Sequence, residues 1–145
     1  MREIKFRAWD KVNKIMVNIW GISYKGWDTK INGGGEINGI MVERDGTEDR
    51  LENEIELMQF IGLKDKNGKD IYEGDIVKFF LNKVAVIKFG DYLVDGTDYY
   101  SNYTVAGFYA EYLDGETSGL NNQGDYCVEV IGNIYENPHL LKGAK

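Results

Sequence analysis

Cysteine, histidine and proline are almost missing from this sequence, with one residue of each at Cys127, His139 and Pro138. A single cysteine excludes an intramolecular disulfide, so the chain does not have the pattern of a small disulfide-stapled secreted domain. A structural zinc site normally takes four Cys or His ligands, which one chain of this composition does not supply. We therefore expect no metal site, a buried inert thiol at Cys127 and a surface or packing role for His139.

Long hydrophobic runs are missing as well. No window of the sequence approaches the roughly 18 consecutive apolar residues of a membrane span. The charges within residues 1–7 are not followed by the apolar stretch of a signal peptide. The sequence predicts a cytoplasmic protein that does not bind membranes.

Sequence motifs for catalysis and cofactor binding are present only in part. The Gly-rich residues 32–35 lack the Lys and Ser/Thr of a phosphate-binding loop, and residues 65–70 have Asp70 where a calcium loop needs glycine. The acidic pairs Asp95 with Asp98 and Asp114 with Glu116 lie beside glycines, where aspartate is common for turn formation. We predict no catalytic residue, no cofactor and no enzymatic activity.

The charge is acidic overall but unevenly distributed. The net charge is −7 and the sequence pI is about 4.8, which disfavours generic binding to nucleic acid. Residues 1–30 carry seven basic and three acidic side chains, and residues 64–90 carry six and four. A basic face built from these two regions keeps nucleic-acid binding open, and an acidic surface that mimics DNA is a further alternative. The candidates for such a basic face are Arg2, Lys5, Arg7, Lys11, Lys14, Lys64, Lys66, Lys69 and Lys78.

What the sequence has in abundance is turn residues between short β-type runs. Its 145 residues include 18 glycines, and 145 residues are about the size of one ordinary domain. Alternating or β-branched runs predict strands, and the pair Asn67-Gly68 predicts a tight hairpin because both residues accept positive φ. The predicted strands are residues 4–9, 15–20, 55–61, 76–80, 84–89 and 128–135, with a hairpin over 63–72 and a bend at 71–75.

Two segments and one terminus are less regular. Residues 21–47 and 91–126 resemble surface insertions because they are rich in glycine and polar residues. The best helix candidate is residues 48–58, but its second half alternates and favours a strand. Residues 139–141 are expected to form one short helical turn.

Three stretches carry a resemblance to a known family. They are residues 7–11, followed by Met16, then residues 57–77, and finally residues 130–138. In order and spacing they are similar to the YopX family of phage and prophage proteins. The resemblance implies a β-rich fold that contains an SH3-like barrel. It implies a phage or prophage origin and a bacterial host, and it implies no catalytic residue or activity.

With the resemblance included, the fold class is mainly β: an SH3-like barrel with an N-terminal β-hairpin extension and a Tyr-rich insertion. The whole chain, residues 1–145, is predicted to be a single domain of this type. Residues 1–56 would form the N-terminal hairpin and variable loop. Residues 57–90 and 127–138 would supply the barrel strands, and residues 91–126 the insertion.

The insertion contains seven of the ten tyrosines. Tyrosine provides large contact area at low entropic cost and is enriched at binding surfaces, although packing against the barrel is the ordinary explanation for such residues. The candidate partner-binding residues are Tyr99, Tyr100, Tyr103, Tyr109 and Tyr112. The sequence thus predicts a non-catalytic protein-binding module for an unknown phage or host protein. Self-association through exposed strand edges is a further expectation.

Overall fold

The computed structural model describes residues 3–24, 37–43, 47–50, 54–94, 103–120 and 128–142. The fold is mainly β with a curled half-barrel sheet, as expected from the many short β-type runs. The chain divides into two compact units, one of residues 5–58 and one of residues 1–4 and 59–145. Within the described part of the chain, no helix is long and apolar enough to cross a membrane.

The N-terminal unit is an antiparallel sheet. Its strands are β1 (Phe6–Asp10), β2 (Ile15–Tyr24), β3 (Ile37–Glu43), β4 (Thr47–Arg50) and the beginning of β5 (Ile55–Lys64). Their spatial order is β4-β3-β2-β1-β5. Inward-facing apolar side chains of four strands, Ala8, Val17, Ile40 and Ile55, form a small core. Period-two alternation therefore brings together residues that are far apart in sequence.

The structure extends the sequence-based predictions for this unit. The hairpin of β1 and β2 is confirmed, with Trp9 opposite Met16. The segment 21–47 was expected to be a surface insertion, but its described residues continue β2 and form β3. The strand favoured for the second half of residues 48–58 is confirmed, because β5 begins at Ile55. The helix alternative is wrong where this segment is described, because residues 48–50 belong to β4. Cross-strand pairing and burial of Ile55 outweigh the helical propensity of this acidic stretch.

The second unit contains the remaining strands. After the end of β5 come β6 (Asp70–Tyr72), β7 (Asp75–Lys78), β8 (Val84–Val94), β9 (Tyr103–Tyr112), β10 (Thr117–Gly119) and β11 (Glu129–Asn133). The end of β5 pairs with β6, and a five-stranded sheet has the order β10-β9-β8-β7-β11. The predicted helical turn near the terminus is confirmed as a 3-10 turn at Pro138–Leu141. The predicted strands at 76–80 and 84–89 are confirmed as β7 and β8, with β7 ending two residues early at Lys78.

The core of the second unit lies on one face of this five-stranded sheet. Its fully buried members are Val77 from β7, Ala85 and Ile87 from β8 and Ala110 from β9, together with Ile61, Ile71 and Val128. Much of the predicted segment 91–126 is regular structure, because β8 continues to Val94 and pairs with β9 along ten residues. The described part of this segment is therefore built into the main sheet.

The hairpin over 63–72 forms, but its turn differs from the one expected. Lys64 pairs with Asp70, so the loop has five residues, 65–69. Gly68 has φ +80, whereas Asn67 is not among the residues with positive φ. The pair Asn67-Gly68 therefore does not form the two-residue turn that the sequence predicts, and the side chain of Asp65 shapes the loop instead.

Candidate functional site

Asp65 is the organising residue of the loop 65–69. Its side chain is 5% exposed, and its Oδ1 accepts hydrogen bonds from the backbone N–H groups of Asn67 at 2.8 Å and Lys69 at 2.9 Å. Its Oδ2 accepts the N–H of Val130 in β11 at 3.0 Å. One carboxylate thus shapes a local loop and ties it to a strand 65 residues away in sequence.

The electrostatics of Asp65 agree with a structural role. Burial by itself raises the pKa of this carboxyl, but hydrogen bonds from the backbone N–H groups of Val130, Lys69 and Asn67 outweigh burial and hold the pKa below its ordinary value. The ionised form is therefore the one that the fold stabilises. A general acid needs the opposite shift at neutral pH, so Asp65 is not suited to that work.

Buried Asp and Asn side chains act in the same way in the other two stretches that resemble the family. Asp10 is fully buried, and its Oδ1 accepts the N–H groups of Val12 and Asn13, each at 2.9 Å. Asn133 Oδ1 accepts the N–H groups of Tyr135 at 3.1 Å and Glu136 at 2.9 Å. The most recognisable parts of the sequence are thus accounted for by turn construction.

The charged candidates are placed mainly in turns and ion pairs. Asp114 is exposed and its Oδ1 accepts the N–H of Glu116 at 3.1 Å, as expected for a turn residue. His139 is exposed on the terminal 3-10 turn, as predicted. No group of three or more His, Cys, Asp or Glu side chains in the described ranges is arranged to hold a metal ion. Asp95, Asp98, Cys127 and the glycine-rich residues 32–35 lie outside those ranges.

Several lysines of the suggested basic face have acidic partners. Lys11 lies 3.1 Å from Glu56, and Lys64 lies 2.6 Å from Asp70. Lys66 and Lys78 share Glu129, at 2.7 Å and 3.7 Å. The hydrogen bond from Lys66 is the main reason that the pKa of Glu129 is lowered. Such pairs reduce the positive potential available to a phosphate backbone.

The most distinctive surface is one face of β8, whose apolar side chains are buried at the start of the strand and exposed further along it. Odd-numbered residues of β8 point to one side, where Ala85 and Ile87 are buried. Further along the same side, Phe89 is 60% exposed and Leu93 is 59% exposed. Phe89 lies opposite Phe108 of β9, and their rings meet edge to face with centroids 5.0 Å apart. We call Phe89, Leu93 and Phe108 the apolar strip.

A cleft of about 510 Å³ adjoins the apolar strip. It is lined by residues 61–63 of β5, residues 106–108 of β9, Phe89 and Leu120, and none of these described lining residues is charged. The ladder between β5 and β6 is interrupted here, because Phe60 pairs with Tyr72 and Lys64 with Asp70, leaving two extra residues in β5. Gly62 permits this bulge through a φ of +91. Bulges of this kind are common next to binding sites.

The opposite face of the same hairpin carries a tyrosine stack. Gly90 and Gly107 are paired in the β8–β9 register, and Gly90 has φ +151. The ring of Tyr92 stacks on Tyr109 with centroids 5.2 Å apart. Tyr92 is at an even position of β8 and Phe89 at an odd one, so the stack and the apolar strip lie on opposite faces.

A second apolar feature is the turn between β7 and β8. Phe80 is 75% exposed and Leu81 is 80% exposed, while the preceding Phe79 packs against the core. Next to this turn lies a cleft of about 290 Å³, whose lining includes Asn82, Val84, Tyr112 and Leu113. The predicted strand 76–80 would have placed Phe80 in the sheet, but β7 ends at Lys78.

The described tyrosines of the predicted set do not share one environment. Tyr103, at the start of β9, is 51% exposed. Tyr109 stacks on Tyr92, whereas Tyr112 packs against Phe79 and lies under the Nζ atom of Lys83, 5.2 Å from its ring centroid. Tyr109 and Tyr112 point to opposite faces of β9 because an odd and an even position alternate. Tyr99 and Tyr100 lie outside the described residues.

Comparison with known proteins decides the family. A family model described as YopX protein matches residues 5–142. The chain belongs to the YopX family. The similarity thus covers both compact units and all three stretches that carry the sequence resemblance.

Two solved structures are similar to this chain in fold. Protein EF1440 from Enterococcus faecalis is 26% identical, with a TM-score of 0.61, over 97% of this chain and 99% of that protein. Protein YopX from Bacillus subtilis is 22% identical, with a TM-score of 0.50, over the whole of both chains. A search of curated proteins found no match. The family is therefore established for this chain, and the names of these two structures describe no activity.

The sequence contained a signal for the apolar strip that simple strand prediction does not use. Residues 84–94 keep an apolar side chain at 85, 87, 89 and 93, but nothing local shows where the core ends along this run. The exposure of Phe80 in this YopX-family protein was likewise missed, because the turn begins two residues earlier than the alternation suggests. Leu81 lies between the predicted strands 76–80 and 84–89, as expected for a connection.

Proposed function

We propose that this YopX-family protein is a non-catalytic protein-binding module. The observation that carries the proposal is the apolar strip of Phe89, Leu93 and Phe108 beside a cleft whose described lining residues are uncharged. Exposed apolar patches on a folded protein mark interaction sites. The exposed Asp91 lies between Phe89 and Leu93 along β8, so Phe89 and Phe108 are the strip residues that line the cleft. The bound element would be an extended segment of another protein with apolar side chains.

The form of the cleft favours an extended segment. Its walls include short runs of two strands, residues 61–63 and 106–108. The bulge in β5 interrupts ladder pairing on one of these walls, where a bound backbone would make its own hydrogen bonds. Apolar side chains would enter the cleft without desolvating an ionic partner among its described lining residues, because none of those is charged.

The capture experiment uses a variant that should change the surface and not the fold. In Phe89→Thr/Leu93→Thr, two exposed apolar residues become polar residues that also suit a strand. Val12→Thr is the matched control, because Val12 is exposed to a similar degree but lies in the N-terminal unit. Each protein is used to capture partners from a bacterial lysate, with and without nuclease, and the captured proteins are identified by mass spectrometry.

We expect a nuclease-resistant protein that the unchanged chain and Val12→Thr retain and that the double variant loses. A synthetic peptide from that partner should then shift the NMR signals of Phe89 and Phe108. Changing Tyr99, Tyr100 and Tyr103 together to serine should also weaken capture while folding is kept. Equal capture by Phe89→Thr/Leu93→Thr would contradict the proposal.

Nucleic-acid binding is the alternative that the same experiment separates. The ion pairs of Lys11, Lys64, Lys66 and Lys78 weigh against a basic face, and the net charge of −7 fits a DNA mimic better than a DNA binder. Loss of every specific partner on nuclease treatment would replace the protein-binding proposal with this one.

The proposal also includes the finer fold class, the origin and the cellular location of the protein. The curled sheet supports an SH3-like barrel as the more specific fold class. Membership of the YopX family supports a phage or prophage origin, and the absence of apolar runs from the sequence supports a cytoplasmic location in the bacterial host.

A further inference from the structure

The turn between β7 and β8 presents two large apolar side chains to solvent. Its backbone is closed by hydrogen bonds from the N–H of Phe79 to the carbonyl of Lys83 at 2.8 Å and from the N–H of Asn82 to the carbonyl of Phe79 at 3.1 Å. Phe79 anchors the turn, with its ring centroid 5.5 Å from that of Tyr112. The turn is thus held firmly, while Phe80 and Leu81 project from it.

The backbone of this turn is strained where it exposes those side chains. Leu81 has φ +64 and Asn82 has φ +60, both in the left-handed region. Asparagine tolerates this region, but leucine does so at a cost. Unfavourable conformations of this kind concentrate at binding and switch regions. An exposed leucine in a strained position suggests a contact made outside this chain.

The cleft beside the turn offers apolar contacts. It has a volume of about 290 Å³, and its lining includes the apolar side chains of Val84, Tyr112 and Leu113 together with Asn82, Lys83 and Asp114. Asn82 and Lys83 form both the end of the turn and one wall of the cleft, so the projecting residues and the cleft are immediate neighbours. The surface therefore has an apolar projection beside a recess that is partly apolar and partly polar.

The charges around this surface are also mixed. Lys83 Nζ lies 3.7 Å from Glu116 Oε2, and both side chains are more than half exposed. Asp114 lines the cleft on the same side. Both signs of charge thus lie beside one projection and one recess, which is the composition of a self-complementary surface.

We propose that a second copy of this chain binds here, in a symmetric dimer. Phe80 and Leu81 of each copy enter the recess beside Tyr112 of the other copy, and Lys83 of each copy faces Glu116 of the other. A two-fold axis between projection and recess satisfies both contacts at once. Repulsion between two copies of net charge −7 makes the dimer reversible.

The first test is sedimentation velocity over a roughly hundredfold range of protein concentration, because mass action shifts a reversible dimer. The unchanged chain should pass from monomer to dimer. Leu81→Asn suits the left-handed backbone but removes the apolar projection, so it should weaken the dimer by at least about tenfold. Val12→Thr should behave like the unchanged chain. A monomer at every concentration, or equal dimerisation of Leu81→Asn, would overturn the proposal.

The second test asks whether the contact is reciprocal. Lys83→Glu and Glu116→Lys should each weaken the dimer alone, because each places like charges across the two-fold axis. An equimolar mixture of the two variants restores both opposite-charge pairs and should restore the dimer. A mixture that stays monomeric would overturn reciprocal docking. Binding of the unchanged monomer to anionic vesicles, lost in Leu81→Asn, would also overturn it in favour of a membrane contact.

These results are separable from those of the capture experiment. Phe89→Thr/Leu93→Thr leaves the turn intact and should dimerise normally. Leu81→Asn leaves the apolar strip intact and should still capture a partner.

Discussion

At the scale of single residues, the acidic and amide side chains of this protein are used mainly to build turns. Asp10, Asp65 and Asn133 are buried, and each accepts at least two backbone N–H groups. A buried N–H without an acceptor is costly, so these side chains do work that strand ladders cannot do at a turn. Turn construction therefore accounts for the polar residues at these three positions of the YopX-like stretches.

Asp65→Asn should destabilise the protein by about 2 kcal/mol, because one amide oxygen replaces two carboxylate oxygens that accept three N–H groups. Asp114→Asn is the matched control, since Asp114 also caps a turn but is exposed. Its effect should stay within about 0.5 kcal/mol. Urea unfolding followed by circular dichroism gives both free energies, and equal values for the two variants would contradict the assigned role.

The pH dependence follows from the same residue. The folded protein holds the pKa of Asp65 below its ordinary value, so the contribution of Asp65 is present above the unfolded pKa and is lost as pH falls through the folded pKa. Between about pH 5 and pH 2, the unchanged chain should therefore lose more stability than Asp65→Asn. Parallel pH curves would show that the carboxylate charge contributes nothing.

A substitution at Leu81 should stabilise the protein, in contrast to the substitution at Asp65. Because leucine at φ +64 is strained, Leu81→Asn should raise the free energy of unfolding by about 1 kcal/mol. Phe80→Ser is the control, since it removes an exposed apolar side chain from a residue that is not among those with positive φ. It should leave stability nearly unchanged. Measurements belong at low protein concentration, where the monomer dominates, and a less stable Leu81→Asn would refute strain at this turn.

At the scale of elements, the β8–β9 hairpin has two halves with different surroundings. Its first half supplies Ala85, Ile87 and Ala110 to the core. Beyond Gly90 and Gly107, Tyr92 stacks on Tyr109 on one face, and Leu93 is 59% exposed on the other. The apolar strip thus lies where the alternation of β8 continues beyond the buried core.

Gly90→Ala tests whether the backbone at Gly90 requires glycine, with Gly107→Ala as its control. A Cβ at Gly90 would meet Tyr109 only at 3.9 Å, so its penalty comes from φ +151 and not from crowding. We expect a loss of about 1 kcal/mol or more and a weaker tyrosine signal in near-ultraviolet circular dichroism. A Cβ at Gly107 meets nothing within 4 Å, so Gly107→Ala should be nearly neutral. Equal effects at the two positions would argue against a special backbone requirement at Gly90.

At the scale of the whole molecule, the chain builds two separate cores. One consists of Ala8, Val17, Ile40 and Ile55, and the other centres on Val77, Ile87 and Ala110. Both proposed interaction surfaces lie in the second unit, which also contains the lysine-rich region 64–90. Opposite charges on neighbouring strands pair there, as Lys88 does with Glu111 at 2.8 Å. These ion pairs reduce the positive potential that the lysines of this unit would offer to a phosphate backbone.

The sequence by itself determined what depends on neighbouring residues. Alternation of apolar side chains predicted β1, β2, β5, β7 and β8, and the three resembling stretches predicted the YopX family that the comparison establishes. These signals are local because side-chain direction in a strand and the preference for a turn are set within a few residues. The sequence also named Tyr103 as a candidate partner-binding residue, and Tyr103 is exposed in the structure.

Tertiary structure decided everything that depends on distant partners. Strands β3, β4, β9 and β10 have weak local signals and form because they pair with neighbours across the sheet. The N–H of Val130 reaches Asp65 across 65 residues, and no short pattern contains that contact. Whether an apolar strand residue is buried like Ile87 or exposed like Phe89 depends on where the opposing layer ends. For that reason the apolar strip and the projecting turn are visible only in the folded chain.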